Sequence, residues 1–574
     1  MRSWKIRLLT SAVCLGQLIG AEAQAAAQAL EPAVIPADDL QTATGTNLLT
    51  ANPESNEPNA VPVEAVANPA ETPLPQILPM IAETTQVLTP TPNPEPTIKP
   101  PPAAKPKKKV PPQFPGAKTL PPTGPYKTLF FDNDYSYKKD PNHQVLFGED
   151  WKNVPFTVFD QEFKFSTGGE IRHRYMNEDN RLRPGGPIQS DNDLLRWRHF
   201  FDLQAGDMFR FYVESIFADS YGGEAPVQQI DVNRWDLQNF FTDINLYEGD
   251  LGKHTLRYGR QELLFGRQRL VSPLDWANTR RNFQGYRYML KGDDYKFDFF
   301  AVNPVNSATG FAPVSQYDNE FDQAHHGINF MGSYFSYTGV QNTTLEAYWM
   351  YQNTTKDVVS KPDGSRHTMG SHIARLFPIT DLCGEESRVW DFDTEGAFQF
   401  GEDNKQSVLA GFYTAIAGHT WKQVPWTPRI SGLFYYGSGD NNPKDNRNNT
   451  FSVMYPLGHA YWGLADNLVG QNLINYSVQA DVKPTKKTAI TAAYHWFELA
   501  SNGDKAYNVA GLPVGTPGNG RNLGQELDLY GYYAFSPNFD IQAGSSWFWY
   551  GSYIDRTAPR GDALQLYVQT SFRY

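Results

Sequence analysis

The feature that most constrains this chain is a repeated alternation of polar and apolar side chains. From Gly168 to the C-terminus, segments of roughly ten residues alternate in this way, and a turn follows each segment. In Met208–Ser220, for example, Phe209 and Phe211 point to one side and Arg210 to the other. A period of two, interrupted by Gly- and Asp-containing turns, predicts antiparallel strands joined as hairpins and therefore an all-β fold.

The number of segments matters because a membrane barrel of this kind has an even strand count. Counted from Thr167–Asn177, the strong segments number seventeen. With that number, the long loop Gly437–Gln471 falls at the end of the barrel that has the short turns, and the tight turn at Pro484 falls at the end that has the long loops. The strand count becomes even if the weaker pattern in His367–Ile379 is also a strand. The sequence therefore predicts a transmembrane antiparallel β-barrel of about 18 strands over residues 166–574, with both ends on one side.

The last segment shows the sense of alternation that a membrane requires. Apolar positions are predicted to face lipid and polar positions the lumen. The two sets are Leu564, Leu566, Val568, Thr570, Phe572 and Tyr574 toward lipid, and Gln565, Tyr567, Gln569, Ser571 and Arg573 toward the lumen. An aromatic C-terminus after such a strand resembles the signal read by the outer-membrane insertion machinery. The expected partners of the protein are therefore the outer-membrane insertion machinery and outer-membrane lipid.

The N-terminus indicates export from the cytoplasm. Residues 1–27 carry Arg2, Lys5 and Arg7, then the apolar run Leu8–Gly20 and several small residues. This order predicts a cleaved signal peptide. A short N-terminal membrane anchor is the alternative, but the apolar run is too short for a span. With the barrel, the signal peptide predicts the outer membrane of a Gram-negative-type bacterium.

A proline-rich stretch separates the signal peptide from the barrel. Of the 42 prolines, 23 lie in residues 31–125, and residues 28–125 lack apolar periodicity. Such a chain buries too little surface to offset its ordering entropy, which predicts a disordered Pro-rich periplasmic arm. Its Lys- and Pro-rich run at residues 99–109 could contact an anionic cell-wall polymer, or serve only as a solvated linker. Residues 126–165 then form a lead-in to the barrel.

Composition excludes several other classes of protein. The net charge of −12 argues against a nucleic-acid partner. Two cysteines, Cys14 and Cys383, cannot supply a disulfide framework or a cysteine zinc site. Past the N-terminus, no apolar stretch reaches the 18 residues of a helical span. A secreted β-sandwich or propeller stays an alternative, although a propeller needs a repeat of roughly 40 residues that this sequence lacks.

The charges predicted to face the lumen fall into two groups. Arginines dominate the first six strands and carboxylates the later ones, so an arginine wall would face an acidic wall. Guanidinium groups pair bidentately with carboxylates and stay charged, which predicts a binding surface for carboxylate-bearing solutes. Simple neutralisation of each arginine by a neighbour is the alternative. The pore-lining candidates are Arg172, Arg174, Arg196, Arg198, Arg210, Arg257 and Arg287, with Asp298, Asp391, Asp393, Glu526 and Asp528.

Three stretches of the predicted barrel carry distinctive motifs. The most specific is Gly259–Gly285, with the sequence GRQELLFGRQRLVSPLDWANTRRNFQG. The others are Gly168–Tyr175, with the sequence GGEIRHRY, and Tyr455–Gly463, with the sequence YPLGHAYWG, which Gln471–Leu473 follows. Together they resemble the bacterial alginate export porin family over about residues 165–574.

This resemblance implies a monomeric outer-membrane barrel of about eighteen strands whose arginine-rich conduit passes the uronate polymer alginate outward. Two departures stand out: the segment Asp132–Tyr137, like the arm, lies outside the family's barrel, and the turn Ser536–Asn538 is too short to act as a periplasmic plug. The family's basic pore residues carry over to Arg172, Arg174, Arg196, Arg198, Arg257 and Arg287.

No catalytic residue is predicted. Asp391 and Asp393 lie two apart on a strand, where they fit one lumen wall better than a glycosidase pair. Ser438–Asn446 offers oxygen ligands that could hold calcium in an extracellular loop, or is an ordinary solvated loop. No other cofactor is expected. The histidines near strands, none in a nucleophile motif, are His325, His326, His419 and His495.

Three functions remain open from the sequence. The first is a porin that passes an anionic polysaccharide or oligosaccharide. The second is a general or small-anion diffusion porin of similar architecture. The third is a non-channel outer-membrane β protein, either an adhesin or an enzyme.

Overall fold

The computed structural model describes residues 124–183, 188–305, 321–355 and 363–574. The predicted signal peptide lies outside the described residues, and so does the predicted arm up to residue 123. Among the described residues, no helix is both long and apolar enough to cross a membrane.

The described chain forms a closed antiparallel β-barrel of 18 strands. Each strand pairs with the next in sequence, and the last pairs with the first. The strands are β1 Gln161–Asp179, β2 Ser190–Ala205, β3 Phe209–Gly222, β4 Asn233–Gly249, β5 Gly252–Gln261, β6 Asn282–Lys291, β7 Tyr295–Val305, β8 Ile328–Tyr337, β9 Thr343–Thr354, β10 Gly364–Thr380, β11 Glu386–Asp403, β12 Gln406–Trp421, β13 Arg429–Gly437, β14 Leu473–Thr485, β15 Thr488–Leu499, β16 Asn522–Ala534, β17 Phe539–Tyr550 and β18 Ala563–Arg573.

The weak segment on which the even count depended is a full strand. It corresponds to β10, which pairs along its length with β9 on one side and β11 on the other. The predicted barrel of about 18 strands is therefore confirmed.

Connections of two lengths separate the ends of the barrel. Short turns such as 206–208 lie at one end, and long loops such as 262–281 and 438–472 lie at the other. The exception is the two-residue turn Asn404-Lys405 at the long-loop end, where φ is 47° and 64°, as a tight hairpin turn requires. Since short turns face the periplasm in outer-membrane barrels, we name the two ends periplasmic and extracellular.

The last strand shows the two faces of the wall. In β18, Leu566 and Val568 are exposed on the outer surface, whereas Gln565 and Gln569 are buried on the inner side. The alternation predicted for this strand is confirmed. The outer face is apolar and the inner face is polar.

Smaller elements decorate the barrel. A short strand, Val154–Val158, pairs with the first residues of β1 and prolongs the sheet at the periplasmic end. The others are the strands Arg447–Asn448, Ala506–Tyr507 and Pro513–Val514, the α-helix Ser552–Thr557, and the 3-10 turns Phe130–Asp132, Ser136–Lys139, Glu149–Trp151 and Gly458–Ala460.

The barrel closes at a seam between β1 and β18. Glu170 pairs with Arg573 in this ladder, and Gly169 and Tyr574 exchange main-chain hydrogen bonds of 2.9 and 3.1 Å. Trp197 also donates its indole N–H to the Tyr574 hydroxyl at 2.8 Å. The last residue of the chain thus ties the seam to β2.

We predict that Gly169→Ala destabilises the barrel where β1 pairs with β2, next to the seam. A Cβ atom at Gly169 would lie 2.0 Å from the Arg198 carbonyl oxygen, so backbone must shift. Overpacking of this kind costs about 1–3 kcal/mol. Urea unfolding in lipid vesicles should show a loss of this size, and Gly531→Ala, whose Cβ would meet its nearest atom at 3.6 Å, is the control. Equal unfolding of the two variants would contradict the prediction.

Candidate functional site

Two long loops fold back into the barrel. Inner loop A is residues 262–281, between β5 and β6, and inner loop B is residues 438–472, between β13 and β14. They meet at hydrogen bonds of 2.9 Å from the Tyr455 N–H to the Leu270 carbonyl and from the Leu457 N–H to the Gln268 carbonyl. A barrel of this strand number is wide enough for an aqueous channel, so these loops determine how much of the lumen stays open.

Inner loop A crosses the full width of the lumen. On one side, Arg172 of β1 and Arg196 of β2 donate hydrogen bonds to the Asp275 carbonyl at 2.8 and 3.3 Å. On the other side, Arg269 of the loop pairs with Asp393 of β11 at 2.8 Å. Strands β2 and β11 lie nine positions apart in a ring of 18, on opposite walls. Charged groups therefore hold the loop at both of its sides.

The two inner loops are joined at Trp276. Its ring stacks on His459 of inner loop B at 3.5 Å between centroids, and the Arg174 guanidinium lies 3.6 Å from the centroid of the indole. Asp466 accepts hydrogen bonds from the Trp276 indole at 2.8 Å and from His459 Nδ1 at 2.9 Å. Burial lowers the pKa of His459, so a neutral imidazole fits this packing.

Four of the arginines predicted from the sequence lie against the inner loops with side chains of at most 2% exposure. Arg172 also donates to the Ala277 carbonyl at 2.6 Å. Arg196 pairs with Glu170 at 2.7 Å, and Arg198 pairs with Glu214 at 2.5 Å. Together with Arg174 on Trp276, these groups anchor other parts of the chain in the structure.

Arg210 and Arg257 lie nearer the periplasmic end and meet the lead-in. Arg210 pairs with Asp202 at 2.8 Å and also donates to the Phe131 carbonyl at 2.8 Å. Arg257 pairs with Asp243 at 2.7 Å, and its guanidinium lies 4.6 Å from the centroid of the Phe131 ring. Both arginines are therefore covered by a segment that precedes the barrel.

The predicted acidic residues of the last strands also meet an inner loop. Glu526 accepts a hydrogen bond of 2.7 Å from the Ala465 N–H, and Asp528 accepts one of 3.2 Å from the Leu464 N–H. Ser546 lies between the two carboxylates, at 2.8 and 2.5 Å. The two side chains thus bind the main chain of inner loop B.

The expectation of an arginine wall that faces a separate acidic wall is wrong. Arg198, Arg210 and Arg257 each pair with a carboxylate on an adjacent strand. Acids with the same inward parity also lie on the early strands, such as Glu214 and Asp243. In a narrow interior, unlike charges on neighbouring strands pair because an unpaired buried charge is costly.

A second set of arginine–carboxylate pairs keeps some contact with water. Their arginine side chains are 11–12% exposed, against 1% for Arg172 and Arg196. The pairs are Arg267 with Asp393 at 2.8 Å, Arg287 with Asp298 at 2.7 Å, Arg429 with Asp391 at 2.7 Å and with Asp481 at 3.1 Å, and Arg366 with Asp403.

Three of these pairs extend along one side of the lumen. Arg366 is the third residue of β10 from the extracellular end, and Arg429 is the first residue of β13 at the periplasmic end. Arg267 reaches Asp393, near the middle of β11, from inner loop A. The three guanidiniums therefore form a ladder between the two ends of the barrel. We call Arg366, Arg267 and Arg429 the arginine ladder.

Sequence reasoning did not single out the arginine ladder or the arginines of inner loop A as functional residues. The sequence did contain a signal. The most specific motif includes a stretch of 15 residues that holds four arginines, Arg267, Arg269, Arg280 and Arg281. The pattern of alternating strands identifies inward-facing strand residues, but it does not extend to a loop. Arg267 and Arg269 reach Asp393, more than 100 positions away in sequence.

No group of three or more His, Cys, Asp or Glu side chains lies close enough to hold a metal ion within the ranges described above. Asp440, in the stretch proposed to bind calcium, accepts the Asn442 N–H at 3.1 Å. The calcium site stays a prediction.

A closed 18-stranded barrel with an apolar outer face and charges in its lumen defines an outer-membrane porin. The chain belongs to the alginate export family. A sequence model of that family, described as alginate export, matches residues 163–563. The resemblance drawn from the motifs is confirmed, and the lead-in lies almost entirely before the matched region.

Solved structures to which this chain is similar include two from Pseudomonas aeruginosa. OprD is 10% identical, with a TM-score of 0.47 over 71% of this chain and 93% of OprD. OccK5 (OpdH) is 13% identical, with the same TM-score over 71% of this chain and 97% of its own. No curated protein matches the sequence of this chain.

We predict that Trp276→Ala loosens both inner loops. The substitution removes a buried indole that contacts Arg174, His459 and Asp466. Loss of a buried tryptophan costs about 3–5 kcal/mol. Urea unfolding should show a decrease in that range, and Trp549→Ala, on the outer face of β17, is the control. A loss no larger than in the control would show that the contacts of Trp276 do not stabilise the fold.

Proposed function

We propose that this porin passes an anionic, uronate-type polysaccharide, alginate-like in its chemistry, along the arginine ladder. The observation that carries the proposal is the ladder itself, since it keeps three guanidiniums in contact with water from one end of the barrel to the other. Membership of the alginate export family supports the same substrate class and outward passage.

The pairing of each ladder arginine favours transport over tight binding. Because each ladder guanidinium is 11–12% exposed, a carboxylate of the polymer can exchange with the protein's own carboxylate without leaving the arginine unpaired. A planar guanidinium group can donate two parallel hydrogen bonds to either carboxylate during this exchange. Several weak sites in series let a polymer advance, whereas one strong site would hold it.

In this proposal the buried arginines have a different task. Arg172, Arg174 and Arg196 hold inner loop A, which narrows the lumen and directs the polymer toward the ladder side. We therefore assign these three arginines the task of supporting the loop, in place of the contact with the polymer that the sequence predicts.

A small-anion diffusion porin is the second candidate. Every ladder arginine already shares a carboxylate, which reduces the net positive charge that a long polyanion would meet. That arrangement favours small solutes. Block of the current by oligomers distinguishes the two functions.

We predict that Arg366→Gln/Arg429→Gln weakens block of the ionic current by uronate oligomers. The substitutions remove two partly exposed guanidiniums, each of which contributes up to about 1 kcal/mol to a solvent-accessible ion pair with the oligomer. The half-blocking concentration should rise about tenfold, equivalent to about 1.4 kcal/mol. Planar-bilayer recordings measure it. Arg375→Gln, on the outer face of β10, is the matched control.

Unchanged block in the double variant would contradict the use of the ladder. Absence of block in the wild-type protein, with small-anion currents present, would support the diffusion porin instead.

A further inference from the structure

The lead-in, residues 126–165, sends its first turn into the barrel. Leu129, Phe130 and Phe131 are buried there in a cluster with Phe200, Tyr212 and Phe241 of β2, β3 and β4. The Phe131 ring meets Tyr212 at 5.7 Å and Phe241 at 5.3 Å between centroids. We call Thr128–Phe131 the tip of the lead-in.

The tip covers four guanidinium groups at once. Phe130 lies 4.0 Å from Arg198, and Phe131 lies 4.6 Å from Arg257. The tip also supplies acceptors, because Arg210 donates to the Phe131 carbonyl at 2.8 Å and Arg280 of inner loop A donates to the Thr128 carbonyl at 3.0 Å. Aromatic faces and carbonyl oxygens thus occupy positions that a carboxylate ligand would favour.

The wall beneath the tip is complete without it. Strands β1 to β5 pair with one another through their own ladders, and the barrel closes between β1 and β18. The tip contributes no strand to this sheet. Its departure would break side-chain contacts and a few hydrogen bonds, and it would leave the wall intact.

The remainder of the lead-in lies at the periplasmic end of the barrel, where part of it is exposed and part pairs with β1. Val145 is 74% exposed and Phe159 is 95% exposed. Further contacts hold the lead-in to the barrel, since Val154–Val158 pairs with β1 and Lys152 is buried beside Phe200, so the withdrawal concerns the tip alone. Tyr126 makes one of them, where its hydroxyl accepts a hydrogen bond of 2.8 Å from the Asn538 side chain.

We propose that the tip of the lead-in is a removable plug over a second anion-binding surface, formed by Arg198, Arg210, Arg257 and Arg280. When the tip withdraws, two arginines lose a carbonyl acceptor and two lose an aromatic cover. The four arginines keep their carboxylate partners Glu214, Asp202, Asp243 and Glu262, and carboxylate-bearing solutes bind at the positions that the tip leaves. The open cross-section at the periplasmic end also increases. The choice of carboxylate ligand rests on the proposed function, whereas the plug itself does not.

The first test is ionic conductance in sodium chloride. Phe130→Ala/Phe131→Ala removes the buried anchors, and Phe159→Ala removes an exposed phenylalanine of the same lead-in as the control. The double variant should conduct at least about twofold more current per channel than the wild type, and the control should match the wild type. Heat-dependent migration in SDS gels verifies that each barrel is folded. Unchanged conductance in a folded double variant overturns the plug.

The second test measures access to the covered wall. In a Cys383→Ser background, Tyr212→Cys places a thiol beneath Phe131, at a position with 0% exposure. A charged methanethiosulfonate reagent should label this thiol roughly tenfold faster when Phe130→Ala/Phe131→Ala is also present, because the tip no longer protects it. Equal labelling rates with and without the double substitution overturn the plug.

Uronate oligomers then test the ligand separately. Stronger block of the double variant than of the wild type supports a carboxylate site beneath the tip. Higher sodium chloride conductance without stronger block keeps the plug and removes the second anion site. Because neither the conductance test nor the labelling test contains uronate, the plug can fail while the proposed function stands, and the reverse also holds.

Discussion

Backbone hydrogen bonding in lipid is the constraint on which this architecture depends. A strand edge within a membrane has no water to satisfy its N–H and C=O groups, so the sheet must close on itself. Here β18 meets β1, and Gly169 and Tyr574 complete the ladder at its periplasmic end. Closure requires the even strand number, the alternating faces and the return of both barrel ends to the same side.

Closure at 18 strands creates a second physical problem, which is the space inside. Such a ring is too wide for wall side chains to fill. Two inner loops occupy it, and their polar backbone and charges need partners in turn. Arg172 and Arg196 supply those partners from one side of the lumen, and Asp393 pairs with Arg269 of the loop from the other side. The buried arginine–carboxylate pairs are thus the means by which a polar loop crosses the lumen.

The lumen therefore has two sides with different properties. Along β1 and β2, inner loop A and the tip of the lead-in cover Arg172, Arg174, Arg196 and Arg198. Along β10 to β13, the arginine ladder stays in partial contact with water. Guanidinium groups of the same chemistry hold structure on one side and are placed to meet solutes on the other. What covers each group decides its role.

The sequence by itself determined the wall. Alternation and turn chemistry act between near neighbours, so β10 and the outer face of Leu566 and Val568 follow from local pattern and strand parity. Only the tertiary structure decided which inward charges meet water. The alternation along a strand shows which face of the sheet a side chain occupies. It does not show which other parts of the chain cover that side chain. Arg174 is covered by Trp276, about a hundred residues away, and Arg257 by Phe131 of a segment before the barrel.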